Sequence, residues 1–164
     1  MSKMGFNPDA AEESLRPILL PIEQKAIVND VETVQPICYL AEITKAKEHT
    51  NVTKGTTSLK LTLAIDVVTE TGVERRVYID DFLSYQENAI FKLAGLMKEL
   101  GISPKEADTD QFIGRFVYVT IKHEKYTPQD GEPELRNKIN RYVGIPTEEE
   151  LKALTPGDEE VSFP

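Results

Sequence analysis

The residues of this chain that could do chemistry are chiefly cations and rings, and they recur in clusters. Lys45, Lys47, Lys54 and Lys60 lie close together in the chain, and Lys122, Lys125, Arg136, Lys138 and Arg141 form a second set. Arg75 and Arg76 stand between them. Rings are interleaved with these cations: Tyr78 beside Arg76, Phe116 and Tyr118 ahead of Lys122, Tyr126 next to Lys125, and Tyr142 next to Arg141. Cations of this kind neutralise phosphates, with affinity that falls as salt rises. Flat rings stack on unpaired bases at ~1–3 kcal/mol each, with little regard for base identity.

Other chemistries lack their residues. Lys54-Gly55-Thr56 has its lysine ahead of the glycine, so it is no phosphate-binding Walker loop. There is no dinucleotide fingerprint and no nucleophile elbow. His49 and His123 have no ligand-spaced partners. Asp80-Asp81 and Asp108 with Asp110 are the best carboxylate pairs, and a catalytic divalent ion needs more converging acids than either provides. The single cysteine, Cys38, excludes a disulfide framework and multi-cysteine metal sites, and is expected in the core. The expectation is a binding protein with no cofactor and no catalysis.

The overall charge of -9 argues at first against a polyanionic partner. Its distribution reverses that argument. Residues 1–38 carry three basic and six acidic side chains (-3), residues 39–142 fifteen and sixteen (-1), and residues 143–164 one and six (-5). The acid excess sits at the ends, and local potential decides what a surface attracts. With 164 residues the chain can bury one core. No apolar run reaches the ~20 residues of a membrane helix, and the opening MSKMGFNPDA has no signal core, so a cytoplasmic protein is expected.

Asn7-Pro8 reads as a helix start, with a short helix to about Arg16. Pro17 and Pro21 then predict an extended arm, so residues 1–32 form an N-terminal arm. From Pro36 the period becomes two. Strands are expected over Ile37–Ile43, Leu59–Val67, Val73–Asp81, Arg115–Lys122 and Leu135–Val143. Polar loops are expected from Lys45 to Thr57 and from His123 to Glu134. Ser84 and Glu87 form a capping box for a helix through Ile90, Leu93, Met97 and Leu100, closed by Gly101. Thr147 and Glu150 cap a last short helix within an acidic tail, residues 146–164.

This order predicts a mostly β domain over residues 33–145. The expected fold is a five-stranded OB-fold-like Greek-key barrel with one helix between strands three and four. An open sheet with one covering helix gives the same alternation. The barrel binds polymers on strands two and three, flanked by the two long loops. That frame gathers eleven of the fifteen basic residues of the middle segment. The candidate DNA-binding set is Lys45, Lys47, Lys54, Lys60, Arg76, Tyr78, Tyr118, Lys122, Lys125, Tyr126, Arg136, Lys138 and Arg141.

The stretch from Pro36 to Val143 also resembles a family of small bacteriophage proteins that bind single-stranded DNA. The likeness rests on Phe6-Asn7, Thr44-Lys45, the strand Ser58 to Val67, Leu100-Gly101-Ile102, Phe112-Ile113-Gly114-Arg115 and the Asn137 to Tyr142 strand. It implies a role in coating single-stranded DNA during phage replication or recombination, in the host cytoplasm. The tail residues Asp158, Glu159, Glu160 and Phe163, ahead of Pro164, resemble the partner-docking tip of bacterial single-stranded DNA-binding proteins. As a polyanion this tail can also compete with DNA for the cations. The contrasting reading is a protein–protein adaptor or inhibitor of a host enzyme; a small nuclease is disfavoured by the missing metal constellation. An exposed strand edge leaves pairing between subunits open.

Overall fold

The computed structural model describes residues 4–15, 18–69, 71–129 and 131–153. The tail residues Asp158, Glu159, Glu160 and Phe163 lie outside them. The first helix, α1, covers Pro8–Leu15, with the Asn7 side chain accepting a hydrogen bond from the Asp9 N–H at 2.9 Å. A hairpin follows: β1 is Glu23–Val28 and β2 is Val31–Pro36. Asn29 and Asp30 turn it with φ of 51° and 64°, the left-handed pair that a tight two-residue hairpin turn requires.

The main sheet has five antiparallel strands: β3 (Tyr39–Asn51), β4 (Thr56–Val68), β5 (Glu74–Ser84), β6 (Phe116–Tyr126) and β7 (Glu134–Gly144). Their order across the sheet is β5-β4-β3-β6-β7. β3 is central because its first residues pair on both sides: Ala41 faces Ile65 of β4 and Val117 of β6. A bulge between Ile43 and Lys45, and two more in the β6–β7 ladder, coil the sheet. Its inner face buries Ile43, Leu61, Leu63, Ile65, Leu83, Val117, Val119, Ile121 and Ile139. Helix α2, Phe91–Leu100, closes this core with Leu93, Leu96, Met97 and Leu100. Gly101 ends it in the left-handed conformation, φ 73°.

The five-stranded barrel expected from the alternation is corrected. The described residues form seven strands in two antiparallel sheets, and no closed barrel forms among them. α2 falls between the fifth and sixth strands of the chain, and further helical segments precede and follow it. β5 and β7 remain the two edges of the sheet. They are joined by side chains and not by a ladder: the Tyr142 hydroxyl of β7 donates to Asp81 Oδ2 of β5 at 2.6 Å. Period-two alternation is blind to this difference, since closure would add only one ladder of main-chain bonds.

Other expectations are corrected locally. The supposed polar loop from Lys45 to Thr57 is mostly strand, with a turn over 52–55 where Gly55 has φ 66°. The second loop shrinks to residues 127–133. In both places the ladder continues past the core, where both faces are wet and alternation fades. The Ser84 capping box forms no helix start; Ser84 Oγ accepts from the Gln86 N–H and α2 begins at Phe91. The expected arm contains a pinned strap and the β1–β2 hairpin, and β2 runs across the expected boundary at residues 32 and 33. In the strap, Leu20 is buried in the core. Asn137 holds the strap by accepting from the Leu20 N–H (2.9 Å) and donating to the Ile18 carbonyl (2.6 Å). His123 Nε2 bonds the Leu20 carbonyl at 2.8 Å. Cys38, expected in the core, is exposed. No helix among the described residues is long and apolar enough to cross a membrane.

Candidate functional site

Inward and outward residues alternate along β5. Ile79, Asp81 and Leu83 point to the core, so Arg76, Tyr78, Asp80 and Phe82 point out. The register sets them beside outward residues of β4: Arg76 opposite Asp66, Asp80 opposite Thr62 and Phe82 opposite Lys60. Past its bulge, β3 places Lys45 opposite Thr62 and Lys47 opposite Lys60. These three strands make one wall. Tyr78 is 61% exposed and Phe82 49%, which is high for rings on a strand, although Lys60 and His49 lie against the Phe82 ring.

Two shallow grooves meet at this wall. One, of about 650 Å³, is lined by Thr44, Lys45, Lys47, Lys60, Thr62, Arg76, Tyr78 and Asp80. The other, of about 710 Å³, runs along the seam between β5 and β7. It also takes Arg76, Tyr78 and Asp80, and adds Arg75, Phe82, Lys92, Lys122, Tyr126, Arg136 and Lys138, with the strap residues Ile18 and Leu19. Together the lining residues include nine cations and three carboxylates (Asp80, Asp81 and Glu134). The chain as a whole carries -9. A surface opposite in sign to its molecule is a local device for attracting anions.

The cations are not equivalent. Lys45, Lys47 and Lys122 have no ion-pair partner among the described residues. Lys60 reaches Asp80 only at 3.8 Å and lies over the Phe82 ring, 5.7 Å from its centroid. Arg76 is held by Asp66 (2.9 Å) and Glu42 (3.1 Å), and the Asp66 hydrogen bond raises its pKa above the usual arginine value. Arg136 and Lys138 share Glu124, at 2.8 and 2.7 Å. Those two partners, the Lys138 hydrogen bond first, lower the Glu124 pKa to about 2. Arg136 also stacks 5.0 Å from the Tyr126 ring, while the Tyr126 hydroxyl donates to Glu134 at 3.0 Å. That bond to a carboxylate raises the Tyr126 pKa.

Of the residues expected to bind, the structure brings Lys45, Lys47, Lys60, Arg76, Tyr78, Lys122, Tyr126, Arg136 and Lys138 to the two grooves. Four others line neither groove. Lys54 sits in the β3–β4 turn, beyond the start of β4 at Thr56, which itself lies ~13 Å along the strand from Lys60. Lys125 stands in the opposite phase to Lys122 and Tyr126. Arg141 is exposed away from both grooves. The Tyr118 hydroxyl is engaged by Glu150 of the C-terminal helix α3, Glu148–Ala153. Phe82, Arg75 and Lys92 line the site although the expected set omits them. Phe82 continues the Arg76, Tyr78, Asp80 alternation by one step, so extending that strand past Asp81 reveals it.

Asp80 and Asp81 point to opposite faces. Asp80 accepts from the Thr62 hydroxyl at 2.7 Å, and Asp81 pairs with Lys92 at 3.3 Å. Asp108 caps a short turn by accepting from the Asp110 N–H. Among the described residues no three of histidine, cysteine, aspartate and glutamate come together as metal ligands. His49 rests edge-on against Phe82, 5.3 Å between centroids. No model of a known protein family matches this chain, and no curated protein matches it.

Proposed function

We infer that this chain binds single-stranded nucleic acid, single-stranded DNA foremost, with little sequence preference and without catalysis. The observation that carries this reading is the wall of β3, β4 and β5, where exposed rings stand among weakly engaged lysines on an otherwise acidic molecule. Tyr78 and Phe82 lie four residues apart on one strand, ~13 Å, so each can take a separate base while Lys45, Lys47 and Lys60 track the phosphates. Lys122 extends the positive path into the seam between β5 and β7. Such a surface coats a strand and does not read it, as replication or recombination in a phage requires. The acidic tail, under this proposal, docks partner proteins or competes for the same cations.

Titration with labelled oligo-dT at several salt concentrations tests this. Lys45, Lys47, Lys60 and Lys122 are expected to contribute ~0.7 each to the log–log salt slope, about 3 together. Mixed-sequence oligonucleotides should bind within a few-fold of oligo-dT. Absence of binding at low salt, or a flat slope, removes the proposal. Partner capture that ignores salt would favour the adaptor reading.

Glu124 supplies a further expectation. With its pKa lowered to about 2, it is ionised throughout the neutral range, and it withholds Arg136 and Lys138 from phosphates. Its contribution to stability is complete above the ordinary carboxylate value of 4.5 and is lost as pH falls through about 2. Glu124→Gln is therefore expected to tighten oligo-dT binding and steepen the salt slope by up to ~1.4, two phosphates' worth. An unchanged slope would show that the strand never reaches β7.

A further inference from the structure

The wall of β3, β4 and β5 carries one anion that phosphate binding does not explain. Asp80 stands on β5 midway between Tyr78 and Phe82, on the same outward face, one step of ~7 Å from each ring's residue. It lines both grooves, where they meet. Glu42 and Asp66, carboxylates of the same face, are both engaged by Arg76, at 3.1 and 2.9 Å. Asp80 has no such arginine. Its Oδ1 accepts from the Thr62 hydroxyl at 2.7 Å, and among the described residues its Oδ2 has no donor nearer than the Lys60 ammonium at 3.8 Å. The side chain is 48% exposed. Because the Thr62 hydroxyl already donates to Asp80, the floor between the two rings offers acceptors: the carboxylate oxygens and the lone pairs of Thr62. Lys45, opposite Thr62, and Lys60 border this floor.

A phosphate at that point would meet a like charge, so a strand lying on the wall must turn something else toward Asp80. A base stacked on Tyr78 or Phe82 brings its edge there. An ionised carboxylate accepts and never donates, and it takes two parallel N–H bonds where two donors stand side by side. Guanine has that pair, N1–H and the 2-amino group, on its Watson–Crick edge. Thymine sets a single N3–H between two carbonyls, which the carboxylate repels. We propose that Asp80 reads the base held between Tyr78 and Phe82 and favours guanine over thymine there. The inference rests on the nucleic-acid reading of the wall and deepens it. The Watson–Crick edge is free only in an unpaired base, so the same contact favours single strands over duplex. The bias is one base wide, so any sequence can still be coated.

Competition between labelled oligonucleotides tests the proposal. Oligo-dT carrying isolated guanines is expected to bind ~5-fold tighter than plain oligo-dT, the low end for a two-bond base contact because Asp80 is half exposed. Hypoxanthine in place of guanine keeps the purine ring and the N1–H but lacks the amino group, and is expected to fall between the two. Asp80→Ala should abolish the guanine advantage while tightening plain oligo-dT, since a like charge leaves the wall. Thr62→Val removes the hydroxyl from Asp80 and should keep the advantage, which separates base reading from a mere tie between β4 and β5. Three results would overturn the proposal: equal binding of guanine and hypoxanthine, an advantage that survives in Asp80→Ala, or its loss in Thr62→Val. Equal affinity for every oligonucleotide would remove the role of Asp80 and leave the nucleic-acid reading standing; absence of all binding would remove both.

Discussion

Replacing Lys45, Lys47 and Lys60 together by alanine is expected to weaken oligo-dT binding about 100-fold at 0.1 M salt. Each phosphate left without its lysine takes ~0.7 from the salt slope, which at 0.1 M is ~0.7 in log affinity; three such phosphates amount to about 2 log units. The size of the effect follows from what these side chains are not doing. Lys45 and Lys47 have no ion-pair partner among the described residues, and Lys60 holds only a loose pairing at 3.8 Å, so little in the free protein competes for them. The slope should fall from about 3 to about 1. Replacing Lys54 or Lys125 should change affinity far less, since both lie off the grooves. Equal losses from all five lysines would mean that net charge, and not the wall, governs binding. Tyr78→Ala is expected to act differently, lowering affinity ~5- to 160-fold with the slope unchanged, as the removal of one stacking ring would.

The second large effect concerns stability. Asp81 is only 3% exposed; it accepts the Tyr142 hydroxyl at 2.6 Å and faces Lys92 at 3.3 Å. This cluster ties β5 to β7 and to α2 where no ladder joins them. Asp81→Ala strands a buried hydroxyl and a part-covered ammonium, and is expected to cost about 3 kcal/mol. For a chain of this size that is a fall of ~6–12 °C in Tm. Tyr142→Phe should cost ~1 kcal/mol in the native background and much less once Asp81 is gone, because the two act as a unit. Additive losses, or a fall below ~2 °C for Asp81→Ala, would show that the cluster is not what holds the seam. Burial first, then the Asp81 charge, pushes the Tyr142 pKa well above its usual 10.0. The folded state thus keeps a proton that the unfolded chain releases above about pH 10. Stability from this group is complete below that pH and falls as pH rises beyond it, so alkaline titration should report the same tie.

The parts of the fold legible in the sequence are those where one face is dry and the other wet. Leu59, Leu61, Leu63 and Ile65 against Lys60, Thr62 and Asp66 announce β4, and Gly101 announces the end of α2. Where both faces meet water the signal disappears. The β1–β2 hairpin alternates no more than a linker does; only Asn29-Asp30, a pair suited to positive φ, betrays a turn. Lys45 and Lys47 read as loop residues for the same reason, although main-chain pairing with Thr62 and Lys60 carries the strand through them. The site is legible as clusters of cations but not as partnerships. Nothing in the order of residues tells that Glu124 occupies Arg136 and Lys138, or that Glu150 occupies Tyr118. Those pairings join residues that only folding brings together.

The unclosed seam leaves a readable trace in isotope exchange. Along β5 and β7, every second amide points away from its neighbouring strand, and in a closed ring those hydrogens would be locked. Here they face the seam, so deuterium should enter them long before it enters Ala41 and Glu42 of β3, which are paired on both sides. A polymer laid into the seam would slow that uptake on β5, and on β7 only if it spans both banks, mapping its course without any substitution.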